Sequence, residues 1–133
     1  AHTLKELHTI AVNLYQTYFD FVRENREEAS VSGNIQRLVE ENYGNPSLGL
    51  QFLSEQLKLS QSYISQLFKQ ETGTTINQYI ISFRINMASS QLLKSDRKIA
   101  DIALCCGFPD QNYFTKLFKK CTGMTPSEYR RYI

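Results

Sequence analysis

Two segments of the sequence, fifty residues apart, carry short polar side chains at helical spacing. They are Ser62, Ser65 and Gln66 in the first segment and Gln111, Asn112, Thr115 and Lys116 in the second. Residues three and four apart lie on one face of a helix. Carboxamides can pair with adenine through two hydrogen bonds, ammonium groups with guanine, and hydroxyl groups with several partners. These faces are therefore suited to the base edges of double-stranded DNA, although any solvated helix surface is also polar.

Other kinds of chemistry find little support. The only histidines are His2 and His8, and the sequence has no nucleophile elbow, phosphate loop, spaced carboxylate pair or cluster of metal ligands. Asp101, Asp110 and Glu128 are interpreted as first-turn acids that complement helix dipoles. We predict no catalytic residue, no cofactor and no metal site, which makes an enzyme the less favoured alternative.

The cysteines are Cys105, Cys106 and Cys121. Their number is odd and two of them are adjacent, which suits neither a disulfide framework nor a zinc site with paired ligands. We predict that they are small, buried apolar side chains in a reducing cytoplasm.

The chain contains an internal repeat. In the 17 positions from Tyr63 to Tyr79, 8 residues are identical to those fifty positions later. The identical residues of the first copy are Tyr63, Leu67, Phe68, Lys69, Thr72, Gly73, Thr75 and Tyr79. Upstream, the register slips by one residue within a turn, where an insertion is best tolerated. One structural unit is therefore used twice.

Each copy has the pattern of a helix-turn-helix unit. The first copy has helices over about 50–58 and 61–72, and the second has helices over about 99–106 and 110–121. Ser54 or Ala103 would let the two helices cross closely, and Gly107 would allow a sharp turn. The inward positions of the second helices are apolar, namely Ile64, Leu67, Phe68, Phe114, Leu117 and Phe118.

A long helix connects the copies. Thr75 and Gln78 form a capping-box pattern that opens it, and it extends to about Lys94; Thr125 and Glu128 open a last short helix in the same way. At 1.5 Å per residue, roughly 18 residues span about 27 Å, close to the ~34 Å between successive major grooves. We predict an all-α fold of two tandem helix-turn-helix subdomains, joined by this linker helix and preceded by an N-terminal amphipathic helix.

Residues 1–33 form a separate N-terminal region. Apolar residues at spacings of three and four predict one helical stripe through Leu4, Leu7, Ala11, Leu14, Tyr18 and Phe21. A polar break over 27–33 follows it. Because the sequence opens at Ala1 without Met, we expect this helix to join an upstream sensory or receiver domain. Two alternatives stay open, since the helix could pair two chains as a short coiled coil or pack on its own domain.

Charge is unevenly distributed, although the net charge is only +2. Residues 1–33 carry a net −2, residues 34–133 a net +4, and residues 111–133 hold 5 basic groups against one acid. A basic face is typical of proteins that bind nucleic acids. The sequence has neither an apolar run that could span a membrane nor a signal segment, which predicts a cytoplasmic protein without membrane contact.

These residues resemble the DNA-binding domain of the AraC/XylS family of bacterial transcription regulators. The match in the second unit runs through residues 99–103, Gly107, Phe108, residues 112–114, residues 118–120, Gly123, Thr125, Pro126, Tyr129 and Arg130. The first unit matches at Ser60, Tyr63, residues 67–69, residues 71–73 and Tyr79, and the linker keeps Arg84 and Ala88.

The resemblance implies a DNA-binding domain over 34–133, divided into a first helix-turn-helix (34–76), a linker helix (77–95) and a second helix-turn-helix (96–133). It implies sequence-specific binding of double-stranded DNA, with two recognition helices in successive major grooves. It also implies transcription regulation in a two-component system and RNA polymerase as a partner.

The resemblance further implies a role for each site residue. Base contacts would come from Ser62, Ser65, Gln66, Gln111, Asn112, Thr115 and Lys116. Phosphate contacts would come from Gln61, Lys69, Lys119 and Lys120. Packing roles would fall to Tyr63, Tyr113, Phe108 and Tyr129. Two positions depart from the family pattern, because Lys58 stands where the first turn often has Gly and Gly49 stands where a Ser or Thr cap is common.

An all-α protein-interaction module is the alternative to DNA binding. Salt separates the two, because DNA binding weakens steeply as ionic strength rises whereas an apolar groove does not lose affinity in this way. A homodimer formed through the N-terminal helix or the missing upstream domain is a further expectation. RNA or single-stranded DNA is less favoured, since we predict no exposed aromatic platform among the basic residues.

Overall fold

The computed structural model describes residues 5–6, 8–10, 12–14, 16–17 and 30–133. The described N-terminal residues are helical. Residues 30–133 form seven helices and no strand, which confirms the all-α prediction. The helices are α1 (Val31–Asn42), α2 (Leu50–Leu57), α3 (Gln61–Thr72), α4 (Ile76–Lys94), α5 (Ile99–Cys105), α6 (Gln111–Thr122) and α7 (Pro126–Tyr132).

Local capping explains where the helices begin and end. The side chain of Ser30 accepts a hydrogen bond from the Gly33 amide at the start of α1, and both predicted capping boxes are formed at the starts of α4 and α7. Both second helices of the repeat end at a glycine in the left-handed region, Gly73 at φ 80° and Gly123 at φ 81°. The end of each second helix was therefore predictable from its glycine.

The helices enclose two adjacent apolar cores, one for each unit. The buried residues of the first are Ile35, Val39, Leu48, Leu53, Ile64, Phe68, Ile76, Tyr79, Ile80 and Phe83. Those of the second are Ile85, Ala88, Leu92, Ile102, Ala103, Cys106, Phe108, Phe114, Phe118 and Tyr129. The two cores are closed alike, because an edge-on aromatic pair joins the second helix to the next helix in each: Phe68 with Tyr79 and Phe118 with Tyr129.

The long helix α4 belongs to both cores. Its N-terminal half supplies Tyr79 and Phe83 to the first core, and its C-terminal half supplies Ala88 and Leu92 to the second. Met87 lies between the halves and packs against both. Because buried apolar side chains hold each half, α4 is a packed spine rather than a solvated connector.

The start of α1 and the N-terminal region differ in part from expectation. The helix begins at Val31, so Ser32 and Gly33 are buried helical residues rather than part of a polar break. Of the predicted N-terminal stripe only Leu14 lies within the described residues, and its side chain is 66% exposed. The face that packs inward carries His8, whose ring meets that of Tyr129 edge-on with centroids 4.2 Å apart. This contact indicates that the N-terminal helix packs on the second unit.

Among the described residues, no helix is both long and apolar enough to cross a membrane.

Candidate nucleic-acid interface

Helix α3 presents a polar face to solvent, and its buried apolar residues set the direction of that face. Ile64 and Phe68 are fully buried, which turns the opposite side of the helix to solvent. The residues predicted for this face are Gln61, Ser62, Gln66 and Lys69, all exposed, and Ser65, half-buried. The α3 candidates thus lie on one side of the helix, from its first residue, Gln61, to Lys69 in its last turn.

Helix α6 presents the same surface in the second unit. Phe114 and Phe118 are fully buried, in the places of Ile64 and Phe68. The predicted residues Gln111, Asn112, Lys116, Lys119 and Lys120 are exposed, and Thr115 is half-buried like Ser65. From the first to the tenth residue, α3 and α6 have the same sequence of exposed, half-buried and buried positions. The repeat therefore preserves the orientation of the polar face as well as the fold.

The two faces differ in charge at their N-terminal ends. Ser60 caps α3 by accepting from the Tyr63 amide at 3.1 Å, whereas Asp110 caps α6 by accepting from the Tyr113 amide at 2.8 Å. The Asp110 carboxylate is exposed. At the other end of the helices, Lys69 donates to the Gly73 carbonyl oxygen at 3.1 Å, and α6 carries both Lys119 and Lys120 in its last turn. The α6 face therefore has an acidic start and a more basic end.

The turns between the paired helices also differ. Lys58 occupies the left-handed region at φ 57°, at the position where the sequence departs from the family pattern, and Gly107 has φ 91°. A side chain is strained in this region and glycine is not. In the first turn the Ser54 hydroxyl donates to the Leu59 carbonyl oxygen. Gly49, the other departure, starts α2 without a side-chain cap.

Two of the four predicted packing residues are only partly buried, although the Tyr113 ring lies against that of Phe108. Tyr63 is 50% exposed and Tyr113 is 46% exposed, because each precedes the buried residue of its helix by one position and so lies at the edge of the polar face. Each polar face therefore has one half-exposed aromatic ring at its edge, whereas the sequence predicts no exposed aromatic platform among the basic residues. Phe108 and Tyr129 are buried as predicted, and a hydrogen bond links the side chains of Tyr129 and Ser89.

The cysteine prediction holds only in part. Cys106 is buried, and burial raises the pKa of its thiol to about 11. Cys121 is half-buried, but Cys105 is exposed, with Nη1 of Arg97 3.5 Å from its Sγ. Cys105 ends the short helix α5 on the side away from the core, which places it in solvent. None of the three forms a disulfide. Among the described residues, no group of three or more His, Cys, Asp or Glu side chains is arranged to hold a metal ion.

Two arginines have structural roles that the sequence reasoning missed. Arg84 of α4 donates from Nε to the Tyr43 carbonyl oxygen at 2.9 Å and from Nη2 to the Asn45 carbonyl oxygen at 2.8 Å. Arg130 of α7 donates from Nε to the Leu92 carbonyl oxygen and from Nη2 to the Ser95 carbonyl oxygen. In both units, the arginine bonds to carbonyls at the end of, or just after, the helix that precedes the helix-turn-helix. The bonded partners lie 35 to 41 positions away, so no local pattern reveals them.

Comparison with known proteins identifies this architecture. Residues 53–132 match a family model described as "Helix-turn-helix domain". The uncharacterized transcriptional regulatory protein YesN of Bacillus subtilis (strain 168) is 37% identical over 80% of this chain. That alignment covers 32% of YesN, so the chain spans about a third of the length of this relative.

Two solved structures are similar as well. The C-terminal domain of AraT, a response regulator from Geobacillus stearothermophilus, superposes with a TM-score of 0.77 at 28% identity, covering 79% of this chain and 87% of that one. The C-terminal domain of the two-component response regulator yesN from Fusobacterium nucleatum has a TM-score of 0.71 at 40% identity, covering 72% of this chain and 93% of that one. The resemblance seen in the sequence is thereby confirmed: the chain belongs to the AraC-type helix-turn-helix family of transcription-regulator DNA-binding domains.

Proposed function

We propose that the chain binds double-stranded DNA sequence-specifically and regulates transcription, with α3 and α6 lying in successive major grooves. The main support is that one polar face occurs twice, with identical burial, on helices held by the shared spine α4. A single polar helix face has no such meaning, whereas a repeated face suits the repeated groove of a duplex. The 19 residues of α4 span about 28 Å, which is near the separation of successive major grooves.

The site residues divide into two groups. We propose that base contacts come from Ser62, Ser65, Gln66, Gln111, Asn112, Thr115 and Lys116, which lie on the exposed faces. Phosphate contacts come from Gln61, Lys69, Lys119 and Lys120 at the margins of the same faces. Because Ser62 and Ser65 are short, α3 depends partly on the shape of the DNA, whereas α6 has longer side chains for direct base contacts.

The first test is selection of bound sequences from a random duplex library, followed by titration of the best duplex at several salt concentrations. We expect two short motifs about one helical turn apart and an affinity that falls steeply with salt. If no sequence is enriched even at low salt, the polar faces contact protein, and the chain is an all-α interaction module instead.

Variants then assign each motif to its helix. Gln66→Ala should relax the preference at one motif and Lys116→Ala at the other, each by about 1–3 kcal/mol. Gln56→Ala and Lys98→Ala are matched controls, because both residues are exposed, Gln56 lies on α2, and Lys98 is the N-cap of α5. Equal losses in the controls would show that the assignments of Gln66 and Lys116 are wrong.

The regulatory setting of the domain is also a proposal. We propose that the full protein is a cytoplasmic, non-enzymatic regulator of the two-component type that recruits or blocks RNA polymerase, in line with its similarity to response-regulator domains. Transcription by purified bacterial RNA polymerase from a template that carries the selected site should change when the chain is added. If transcription does not change when the selected site is saturated with the chain, RNA polymerase is not a partner of this domain.

The N-terminal helix is proposed to pair two chains. Ile10 and Leu14 are one helical turn apart and are 45% and 66% exposed, which leaves an apolar strip beside the face that packs through His8. Sedimentation should show dimers that Leu14→Glu dissociates. A strict monomer at high concentration would rule out pairing through this strip.

A further inference from the structure

The two units also meet around Arg84, which is not one of the predicted DNA-contacting residues. Arg84 projects from the middle of α4 and binds the Tyr43 and Asn45 carbonyl oxygens, at the turn that ends α1. These two bonds tie the first unit to the spine. Tyr43 itself packs against both cores. The junction between the units is therefore centred on this arginine.

The second unit approaches the same turn backbone to backbone. A methyl group on Gly107 would overlap the Tyr43 carbonyl oxygen and lie 2.8 Å from Nε of Arg84. A methyl group on Gly44 would lie 2.8 Å from the Cys105 carbonyl oxygen. Side chains at these two positions would force the units apart, so both glycines are needed for the contact.

Two charge-assisted hydrogen bonds hold Arg84 in this arrangement and offset the cost of burying its charge. Its guanidinium is half-buried, and burial lowers its pKa while the nearby Tyr113 and Cys106 groups act in the opposite direction. The Tyr43 carbonyl lies at the C-cap of α1, where the helix dipole is negative, and the Asn45 carbonyl lies two residues further on, in the turn after the helix. A hydrogen bond from a charged donor to such a group is stronger than one between neutral groups.

The contact around Arg84 restricts the relative rotation of the two units, which α4 alone does not. A single helix joining two bodies can bend and twist, so it fixes their separation better than their relative rotation. A second contact away from the helix axis removes this freedom. Here residues 43–45 of the first unit and 105–107 of the second form that off-axis contact, with Arg84 between them.

We propose that Arg84, Gly44 and Gly107 form an inter-unit clasp that fixes the relative orientation of α3 and α6 and so sets the one motif spacing that the chain accepts in DNA. Arg84 is a positioning residue in this role and makes no DNA contact. The inference rests on the proposed function, because it assumes that both helices bind one duplex. A rigid bivalent binder gains affinity from its second site only where the geometry lets both sites bind together.

The test is a ladder of duplexes that carry both selected motifs, with one or two base pairs inserted or removed between them, and duplexes with either motif alone. Wild type should bind the best spacing about tenfold or more tightly than its neighbours, because each base pair shifts the second motif along and around the helix axis. Arg84→Met should reduce this preference to about threefold or less while the affinity for each single motif stays within about twofold. Arg84→Lys should restore only part of it, since one ammonium group lacks the fork that spans two carbonyls.

A second pair of variants leaves Arg84 in place. Gly44→Ala meets the Cys105 carbonyl, whereas Gly49→Ala has nothing within 4 Å, and neither residue lies in the left-handed region that favours glycine. Gly44→Ala should broaden the spacing profile as Arg84→Met does, and Gly49→Ala should leave it unchanged.

The outcomes separate the inference from the function on which it rests. If wild type selects no sequence, the proposed function is wrong, and the proposed role of the clasp in DNA binding is wrong with it. If wild type binds its sites but accepts all spacings, or if Arg84→Met and Gly44→Ala keep the wild-type profile, the clasp is wrong and the function stands. If Arg84→Met weakens binding to each single-motif duplex as much as binding to the two-motif duplex, Arg84 acts on folding alone and the positioning role is wrong.

Discussion

Replacing Gly107 by alanine tests the clasp through stability, without DNA. The substitution has two separable costs. An L-residue in the left-handed region costs about 1–2 kcal/mol, and Gly107 has φ 91°. The new methyl group would also overlap the Tyr43 carbonyl oxygen, so the turn must move and the Arg84 bond to that oxygen must break. A hydrogen bond to a charged group contributes about 1.5–3 kcal/mol. The expected loss is therefore roughly 2.5–5 kcal/mol in the free energy of unfolding.

Two other glycines provide matched controls. Gly73 and Gly123 have φ 80° and 81°, but a methyl group on either meets nothing within 4 Å. Gly73→Ala and Gly123→Ala should therefore show the conformational cost alone, about 1–2 kcal/mol. Urea unfolding followed by far-ultraviolet circular dichroism measures all three, provided that the m-value is unchanged. If Gly107→Ala is no less stable than the two controls, the backbone contact between the units has no energetic weight and the reasoning fails.

Three further predictions follow from single residues. Lys58→Gly should stabilise the chain by up to about 1 kcal/mol in urea unfolding, since it relieves a side chain at φ 57°; a loss of stability would show that Lys58 makes a compensating contact. Asp110→Ser should keep the cap of α6, because Ser60 caps α3 in the same way. It should tighten duplex binding by on the order of 1 kcal/mol at low salt, because it removes a carboxylate near the phosphates. Unchanged affinity would place the start of α6 away from the DNA. Burial lowers the pKa of His8, so the folded chain favours its neutral form, and the free energy of unfolding should fall as the pH drops below the unfolded value of 6.5. His8→Phe should lose less stability than wild type between about pH 7.5 and pH 5. An identical pH dependence in the two proteins would contradict the burial of His8 on Tyr129.

Local signals made most of the fold predictable. Helix starts are set by side chains that bond to amides three residues on, and helix ends by glycines with a positive φ, so Thr75, Thr125, Gly73 and Gly123 identify their boundaries from sequence alone. The repeat then supplied the tertiary arrangement, because a unit that occurs twice must bury its apolar face in the same way twice.

The polar faces followed from the same periodicity, but their edges did not. Tyr63 and Tyr113 are large and aromatic, which favours a packing role, yet both are about half exposed because helix rotation places them beside the buried position. The Arg84 hydrogen bonds could not be predicted from the sequence, for another reason. Their acceptors are backbone carbonyls 39 and 41 residues away, and since every residue has a backbone carbonyl, no residue type marks the acceptor.

The central claim is that α3 and α6 occupy consecutive major grooves of one duplex, and methylation interference on the best selected duplex tests it most directly. Two stretches of major-groove interference about 10 base pairs apart on one face of the DNA are expected, with Gln66→Ala weakening one stretch and Lys116→Ala the other. A single stretch, or two that both variants weaken equally, would contradict the claim that each helix recognises its own groove.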